Sequence, residues 1–275
     1  MQKIISVTSG KGGVGKTLTT INFALAARSN GNSVLVIDGD FGLANVDVLL
    51  GLTPSKTFAD VLDGTCTIRD IIQKGPRGID LISSGSGISR LANLGNLERS
   101  CILAELSRLP QTYDVVIIDT SAGISSSVLS LNAASHHYVV VTTPEPHALT
   151  DAYALIKVMA EDHDRIQCSL LINQVRSDDE GTRIGLRLAE VAKQYCGVTV
   201  TPVGHIRSDS VLNRSILARK VAWDGALHTV AGQGWSSAWR RIWDLTNSPQ
   251  EREWKRPIEQ VWSVLAGQTT LASNL

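Results

Sequence analysis

A glycine-rich run near the start of the chain holds the residues best suited to chemistry. Residues 10–17 read GKGGVGKT, which satisfies the GxxxxGK[ST] pattern of a phosphate-binding loop. Its glycines let backbone amides curl around a phosphate, Lys16 offsets the phosphate charge, and the Thr17 hydroxyl is suited to bind Mg²⁺. The run lies between an apolar segment and a segment of helical pattern, as such a loop requires. We interpret it as a nucleotide site, with a ligand-free glycine turn as the alternative.

The loop begins with a second lysine, Lys11. Lys16 already occupies the position that neutralises phosphates bound to the same chain. A lysine at the start of the loop is suited to supply transition-state charge across a subunit interface, which would make the active form a dimer. A solvated surface lysine is the alternative.

Carboxylates follow two further apolar segments. Asp38 and Asp40 follow SVLVI, and Asp119 ends VVIID. Carboxylate oxygens hold Mg²⁺ or a Mg²⁺-bound water, and doubly wound sheets bind ligands at the carboxyl edge of their strands. We therefore expect these three carboxylates beside the phosphate loop. A helix cap without chemistry is the alternative for Asp38 and Asp40.

Short runs rich in Val and Ile alternate with segments of helical period along the chain. Several runs lack polar alternation, which predicts strands covered on both faces and hence a parallel sheet between helices. Strands are predicted at residues 3–8, 33–38, 79–83, 114–119, 137–142, 169–173 and 200–205, and helices at 15–29, 126–134, 150–161 and 182–195. This order predicts a doubly wound α/β fold with a mostly parallel sheet over residues 1–232.

The composition excludes several classes of protein. The 275 residues are 43% hydrophobic and 19% charged, which supports a sizeable core and argues against a disordered chain. With 26 basic and 26 acidic residues, the net charge argues against a protein that coats nucleic acid. The four cysteines form no CxxC pair, which favours a reduced cytoplasmic protein. Neither a membrane-spanning run nor a standard signal peptide is predicted.

Together these motifs resemble the MinD/ParA family of P-loop ATPases, and GKGGVGKT is similar to the deviant Walker A box of that family. The resemblance implies that the chain hydrolyses ATP, with ATP, ADP and Mg²⁺ as its ligands. It implies that Asp40, in switch I, orients the attacking water and that Asp38 supports the Mg²⁺ shell. The run YDVVIIDTSAGIS is similar to a Walker B strand in which Asp119 holds a Mg²⁺-bound water, followed by switch II at residues 120–124. Ser121 stands where the wider family commonly has proline, which indicates a subfamily.

Two later segments are implied to hold the base. Asn173 ends SLLIN and is implied to hydrogen-bond adenine, with a buried asparagine that caps a turn as the alternative. The run VGHIRSDSVLN corresponds to the GxIPxD segment of the family, with Arg207 at the proline position, and implies that Arg207 and Asp209 line the base. The expected catalytic residues are Lys11, Lys16, Asp40 and Asp119, and the expected metal ligands are Thr17, Asp38 and Asp119. The expected nucleotide contacts are Gly10, Lys11, Gly12, Gly13, Val14, Gly15, Lys16, Thr17, Leu18, Asn173, Arg207 and Asp209.

Three blocks resemble the FlhG/FleN branch of this family, whose members regulate flagellar number and placement. They are FGLANVDVLLGL at 41–52, TFADVLDG at 57–64 and EPHALTDAYALIK at 145–157. The resemblance implies a cycle between an ADP-bound monomer and an ATP-bound homodimer. It also implies that the protein restrains a flagellar transcriptional activator of the AAA+ class or acts on a flagellar assembly protein. The implied location is the cytoplasm, or the inner face of the plasma membrane at the cell pole.

Other activities of the same fold remain as alternatives. One is a ParA-like partition ATPase that binds DNA without sequence preference, and another is a MinD-like regulator of the cell-division site. An iron–sulfur carrier would need cysteines near a dimer axis, and no cysteine forms a CxxC pair or directly follows a switch motif. A module that binds nucleotide without hydrolysis is the last alternative, although every expected catalytic residue is present.

Residues 233–275 differ from the rest of the chain, because they hold five of its six tryptophans. Apolar residues at 235, 238, 239, 242 and 243 recur at helical spacing, and we expect a helix that packs on the sheet or contacts lipid. Residues 256–266 predict a second amphipathic helix, with Trp262 on its apolar face. That helix is suited to an anionic membrane surface, and packing on the core is the alternative.

Overall fold

The central feature is one sheet of eight strands between helices. The computed structural model describes residues 2–41, 45–85, 112–209 and 229–247. Within these residues the strand order is β3-β4-β2-β5-β1-β6-β7-β8. The strands are β1 (Lys3–Ser9), β2 (Val34–Gly39), β3 (Ile72–Lys74), β4 (Asp80–Ile82), β5 (Val115–Ala122), β6 (His137–Thr142), β7 (Gln167–Val175) and β8 (Thr199–Arg207).

Helices connect most of the strands. They are α1 (Lys16–Ser29), α2 (Val46–Leu50), α3 (Phe58–Leu62), α4 (Ser126–Ala134), α5 (Pro146–His163), α6 (Asp178–Cys196) and α7 (Val230–Asn247). Two short 3₁₀ helices span Ile68–Ile71 and Pro76–Gly78.

The strand register brings the ends of the functional strands together. All described strand pairs are parallel except β3 with β4. Strand β1 lies between β5 and β6, and β2 pairs with the other side of β5. The carboxyl ends of β1, β2 and β5 therefore meet at one edge, where doubly wound sheets bind ligands. The predicted α/β fold with a mostly parallel sheet is confirmed.

Alternate residues of each central strand pack against different helical layers. One face of the sheet meets α1 and α7, with Ile5 of β1 and Ile117 of β5 in that core. The other face meets α3 and α4 at one end and α5 and α6 at the other. Fully burying each of these aliphatic side chains stabilises the fold by about 1.5–3 kcal/mol. Because both faces of the sheet are packed against helices, the strand ends that carry the loops are held in fixed positions.

Several elements differ from the sequence predictions. Helix α5 begins at Pro146, ahead of residue 150, because proline suits the first helical turn. Helix α6 begins at Asp178, ahead of residue 182, because the Ser177 hydroxyl accepts the Glu180 amide at 3.2 Å. Strand β3, α2 and α3 were not predicted, since three to five residues are too few to show a period.

The described part of the tryptophan-rich segment packs on the sheet. Helix α7 begins at Val230, so the domain boundary expected at residue 232 lies inside a helix that contacts α1 and β8. Trp239 is completely buried, with its ring 5.8 Å from that of Phe23 in α1. The helix predicted at 256–266 lies outside the described residues. Among the residues described, no helix is both long and apolar enough to cross a membrane.

Polar contacts fix both ends of α7. Near its start, the Trp235 indole donates a hydrogen bond to Thr19 Oγ1 at 3.2 Å, one turn into α1. At its end, Lys3 Nζ lies 4.0 Å from the Trp243 ring centroid and donates to Thr246 Oγ1 at 3.0 Å. We call this second set the Lys3 clamp. Helix α7 thus runs from the phosphate-loop end of α1 to the amino end of β1.

Candidate nucleotide site

The glycine-rich loop joins β1 to α1 in a shape that only glycine adopts easily. Gly13 and Gly15 have φ angles of 79° and 91°, in the left-handed region that disfavours other residues. Gly15 is also the N-cap of α1, and no side chain caps the amides of the first turn. Because those amides and the helix dipole both favour an anion, the loop offers a phosphate site.

The loop is held closely against its surroundings. A Cβ atom at Gly10 would lie 2.1 Å from the Asp151 backbone oxygen in α5, so only glycine fits there. Ser9 Oγ donates to the Lys11 carbonyl at 2.7 Å, and Leu18 packs against the core on the α1 side. Gly12 and Gly13 have open space around their Cα atoms. The middle of the loop therefore has room for a ligand.

Lys16 is buried next to acidic groups. Its relative exposure is 9%, and burial lowers its pKa while the charges of Asp119 and Asp40 oppose that shift. The Thr17 hydroxyl donates to Asp119, which also accepts from Thr20 Oγ1 at 3.0 Å. The first turns of α1 are therefore bonded to the end of β5.

Two buried carboxylates lie side by side below the loop. Asp38 of β2 pairs in register with Asp119 of β5, and both are at most 1% exposed. Burial and the neighbouring Asp119 raise the pKa of Asp38 to about 7, against three backbone amides that donate to it. Burial raises the pKa of Asp119 to about 6, against its bond with Thr17 and the charge of Lys16. The pair therefore carries negative charge that the protein only partly neutralises.

This cluster fits Mg²⁺ and phosphate groups. Mg²⁺ prefers oxygen ligands, and the Thr17 hydroxyl lies with the carboxylates of Asp38 and Asp119. Burial raises the pKa values of both carboxyl groups, and a divalent cation bound between them would favour their charged forms. The residues expected from the sequence to bind metal are thus brought together.

Asp40 and the start of switch II lie at the same edge. The Asp40 amide donates to Asp38 Oδ1 at 3.0 Å, and its carbonyl accepts from Ser84 Oγ at 2.8 Å. The Gly123 amide donates to the Ser9 carbonyl at 2.9 Å. The start of switch II therefore contacts the strand that leads into the nucleotide loop, and Asp40 lies within electrostatic reach of Lys16.

Lys11 makes an ion pair that the sequence did not predict. Its Nζ lies 2.8 Å from Glu145 Oε2, and the two side chains are 37% and 64% exposed. The hydrogen bond from Lys11 holds the pKa of Glu145 below its ordinary value. Glu145 is the N-cap of α5, so the pair connects the loop to that helix. The sequence signals for Glu145 are its place after the predicted strand of β6 and its position at the start of the block at 145–157.

The residues expected around the base lie on neighbouring strand ends. Asn173 of β7 is 4% exposed, and its Nδ2 donates to the Val14 carbonyl at 2.8 Å. Arg207 ends β8, and its Nε lies 4.0 Å from Asp178 Oδ1. Asp209 follows two residues later and is partly buried. The structure thus brings Asn173 to the phosphate loop and leaves Arg207 at the partly exposed end of β8.

Comparisons with known proteins identify relatives of this chain. The profile of a family described as an AAA domain matches residues 2–172. The antiactivator FleN of Pseudomonas aeruginosa is 35% identical over 250 residues, which cover 90% of this chain and 89% of that protein. The flagellum site-determining protein YlxH of Helicobacter pylori is 35% identical over 220 residues, or 80% of this chain and 74% of that protein.

A solved structure shares the fold. The septum site-determining protein MinD of Pyrococcus horikoshii, complexed with Mg-ADP, superposes with a TM-score of 0.71 at 23% identity. The match covers 90% of this chain and 98% of that chain. The chain therefore belongs to the MinD/ParA family of P-loop ATPases, and it is an ATPase.

Proposed function

We propose that this ATPase is a dimerising switch that regulates the number and placement of flagella, by restraining a flagellar transcriptional activator of the AAA+ class. The observation that carries the proposal is the 35% identity with an antiactivator over 90% of the chain. A second relative, whose name assigns it to the determination of the flagellar site, matches over 80% of the chain. The family profile spans residues 2–172, a range that contains the phosphate loop and both switch segments.

The positions of the loop residues and of the three carboxylates support a separate role for each of them in ATP hydrolysis. Lys16 and the amides of the loop bind the phosphates, and Thr17 with Asp119 and Asp38 would hold Mg²⁺. Magnesium, when bound, neutralises charge that develops on the phosphate oxygens. Asp40 follows β2 within electrostatic reach of Lys16, where a carboxylate can orient the attacking water.

Dimerisation is proposed to depend on Lys11. The Lys11–Glu145 ion pair is exposed to solvent, and exposed ion pairs contribute little to stability, so Lys11 is held only weakly to its own chain. Release from Glu145 would let Lys11 reach a γ-phosphate bound to a second chain. Hydrolysis removes that phosphate, and with it the contact that links the two chains. The ATP-bound dimer and the ADP-bound monomer would then be the two states of the switch.

Light scattering tests the dimer. With MgATP the wild-type chain should dimerise transiently, and Asp40→Ala should accumulate as a stable dimer because hydrolysis is blocked. Lys11→Ala is the matched control, and it should remain monomeric at the same ATP concentration. An Asp40→Ala protein that stays monomeric at saturating ATP would overturn the switch.

Flagellar counts test the biological role. Deletion of the protein in its native host should raise the number of flagella per cell, as counted by electron microscopy. The wild-type chain should restore the count, and Lys16→Ala should not, since it lacks the phosphate contact. A deletion strain with a normal number and position of flagella would contradict the flagellar role and leave the ATPase assignment unaffected.

The described basic residues give little support to a DNA-binding alternative. Arg187 is paired with Glu190 at 2.8 Å, and Arg207 lies near Asp178. Acidic partners of this kind reduce the attraction of a surface for phosphates. An ATP-dependent, salt-sensitive gel shift would favour the partition activity over the flagellar one.

A further inference from the structure

Strand β7 ends in an irregular turn beside the phosphate loop. The pairing of β7 with β8 shifts register between Ile172 and Val175. Within this interval Gln174 has a φ angle of 60°, in the left-handed region that a side chain disfavours. The Gln174 side chain is exposed, so no packing of that side chain accounts for the conformation. The turn places the Gln174 backbone amide within hydrogen-bond distance of the preceding side chain, Asn173.

The turn fixes the Asn173 amide in one orientation. The Gln174 backbone amide lies 2.9 Å from Asn173 Oδ1, and because an N–H group can only donate, the oxygen must face it. The Nδ2 group then faces the Val14 carbonyl, to which it donates at 2.8 Å. Asn173 is 4% exposed, so water competes little for either bond. Both ends of the side chain are therefore bonded within the protein.

The contact falls at the bend of the phosphate loop. Val14 lies between Gly13 and Gly15, both of which have positive φ angles. A Cβ atom at Gly15 would lie 2.3 Å from Asn173 Nδ2, so the asparagine fills the space beside that glycine. The amides that follow Val14 open α1. A bond to the Val14 carbonyl thus restrains the peptide units whose N–H groups face a phosphate.

We propose that Asn173 is a positioning residue for the phosphate loop, which holds the Val14 carbonyl so that the loop keeps its phosphate-binding shape before a ligand arrives. This role differs from the adenine contact that the family resemblance implies. A residue that positions the phosphate loop affects the binding of every phosphate chain, including one that carries no base. It rests on the ATP site alone and does not depend on the flagellar role.

A ligand without a base tests the proposal. The dissociation constant of magnesium tripolyphosphate is measured by competition with a fluorescent ATP analogue. One hydrogen bond contributes about 0.5–1.5 kcal/mol, so Asn173→Ala should weaken tripolyphosphate binding by roughly 2- to 13-fold. MgATP and MgGTP should each lose at least as much. Asn32→Ala, which removes a 3.1 Å amide bond to the Ala27 carbonyl at the far end of α1, is the matched control and should bind tripolyphosphate as the wild type does.

A different result would overturn the positioning role. If Asn173→Ala weakens MgATP binding and leaves MgGTP and tripolyphosphate binding unchanged, Asn173 contacts only the base. Thermal melting of the ligand-free variants shows that each is folded. Asn173→Leu covers the case in which the alanine variant unfolds, because it keeps the approximate volume of the side chain and removes both hydrogen bonds without adding a charge. It should show the same loss of tripolyphosphate binding, and unchanged tripolyphosphate binding in this variant would equally contradict the proposal.

Discussion

Lys11 and Lys16 lie on one loop in opposite environments. Lys16 is 9% exposed and lies among carboxylates, whereas the Lys11 side chain is 37% exposed and paired with Glu145. A buried lysine is held in one position by its surroundings, and an exposed one exchanges partners at little cost. The difference supports separate tasks, with Lys16 for the phosphates of its own chain and Lys11 for those of another.

Substitution of the two lysines is expected to impair different activities of the protein. Lys16→Ala should abolish nucleotide binding, because it removes the charge inside the loop. Lys11→Ala should bind nucleotide nearly as well as the wild type and lose dimerisation and turnover. Titration with a fluorescent nucleotide, with phosphate release measured in parallel, separates the two. An equal loss of ATP affinity in both variants would contradict the assignment.

The buried carboxylates make stability depend on pH. The pKa of Asp38 is raised from 3.8 to about 7, so between about pH 4 and pH 7 the folded state keeps a proton that the unfolded chain has lost. The free energy of unfolding of the ligand-free protein should therefore fall as the pH rises through this window. Asp119, with a pKa of about 6, acts in the same direction.

Asp38→Asn provides the check on this pH dependence. The variant cannot ionise, so its free energy of unfolding should fall less between pH 4 and pH 7 and exceed that of the wild type at pH 8. Calorimetry of the ligand-free proteins measures both quantities. A wild-type Tm that stays level or rises over this range would show that the carboxyl pair is not strained.

Most of the site residues were predictable, because the motif fixes their spacing. The positions of Lys16, Asp38 and Asp119 follow from a loop or carboxylate placed directly after a buried strand. The partners of Lys11 and Asn173 were not predictable. They lie 134 and 159 residues away in the chain, and no local pattern encodes contacts over that distance.

At the scale of elements, α1 connects the nucleotide loop to the rest of the fold. Three threonines in its first turns serve different partners: Thr17 and Thr20 bond Asp119, and Thr19 accepts from Trp235 of α7. One face of the helix thus points to the Walker B strand, and another to the last described helix. A displacement of α1 on nucleotide binding would therefore move its contacts with both β5 and α7.

Substitutions in α7 separate packing from hydrogen bonding. Trp235→Phe keeps a ring in the core and loses the bond to Thr19, so it should lower the free energy of unfolding by about 1–3 kcal/mol. Trp239→Ala removes a fully buried ring and should cost about 3–5 kcal/mol. Urea denaturation measures both values. If Trp235→Phe costs as much as Trp239→Ala, the indole bond is more than an ordinary hydrogen bond.

The prediction of elements succeeded where apolar runs were long. Strands such as β1 and β6 have central residues that are almost all buried, and continuous burial leaves a clear pattern in the sequence. The turn at Asn173 was missed, because a positive φ angle at glutamine has no sequence signal. Residues 235–243 predicted a helix, but the pattern alone did not decide between packing and lipid contact.

At the scale of the whole molecule, the nucleotide loop and the end of α7 lie at opposite ends of the central strands. The loop follows the carboxyl end of β1, whereas the Lys3 clamp holds α7 at the amino end of that strand. Seven residues of strand separate them by about 20 Å. A dimer formed through the loops would therefore keep the end of α7 clear of the interface.

Liposome binding tests whether residues 256–266 attach the molecule to a membrane. One short amphipathic helix binds weakly, and two on one dimer bind together, so binding to anionic liposomes should rise with ATP and fall on hydrolysis. Trp262→Glu should abolish this binding and leave ATP-driven dimerisation unchanged. Trp239→Glu is the contrast, since a charge in the core of α7 should give insoluble protein. If the wild-type chain does not bind anionic liposomes in the presence of MgATP, membrane attachment is contradicted.

The Lys3 clamp joins residues that are made at very different times during synthesis. Lys3 and Thr246 are 243 residues apart in the chain. A ribosome adds about 5–20 residues per second, so β1 and α1 are made roughly 10–50 s before α7 is complete. During that interval the face of α1 that carries Phe23 has no Trp239 to cover it. A nascent chain therefore exposes an apolar face beside its nucleotide loop until the last described helix is translated, and a chaperone that binds such faces would recognise it only in that interval.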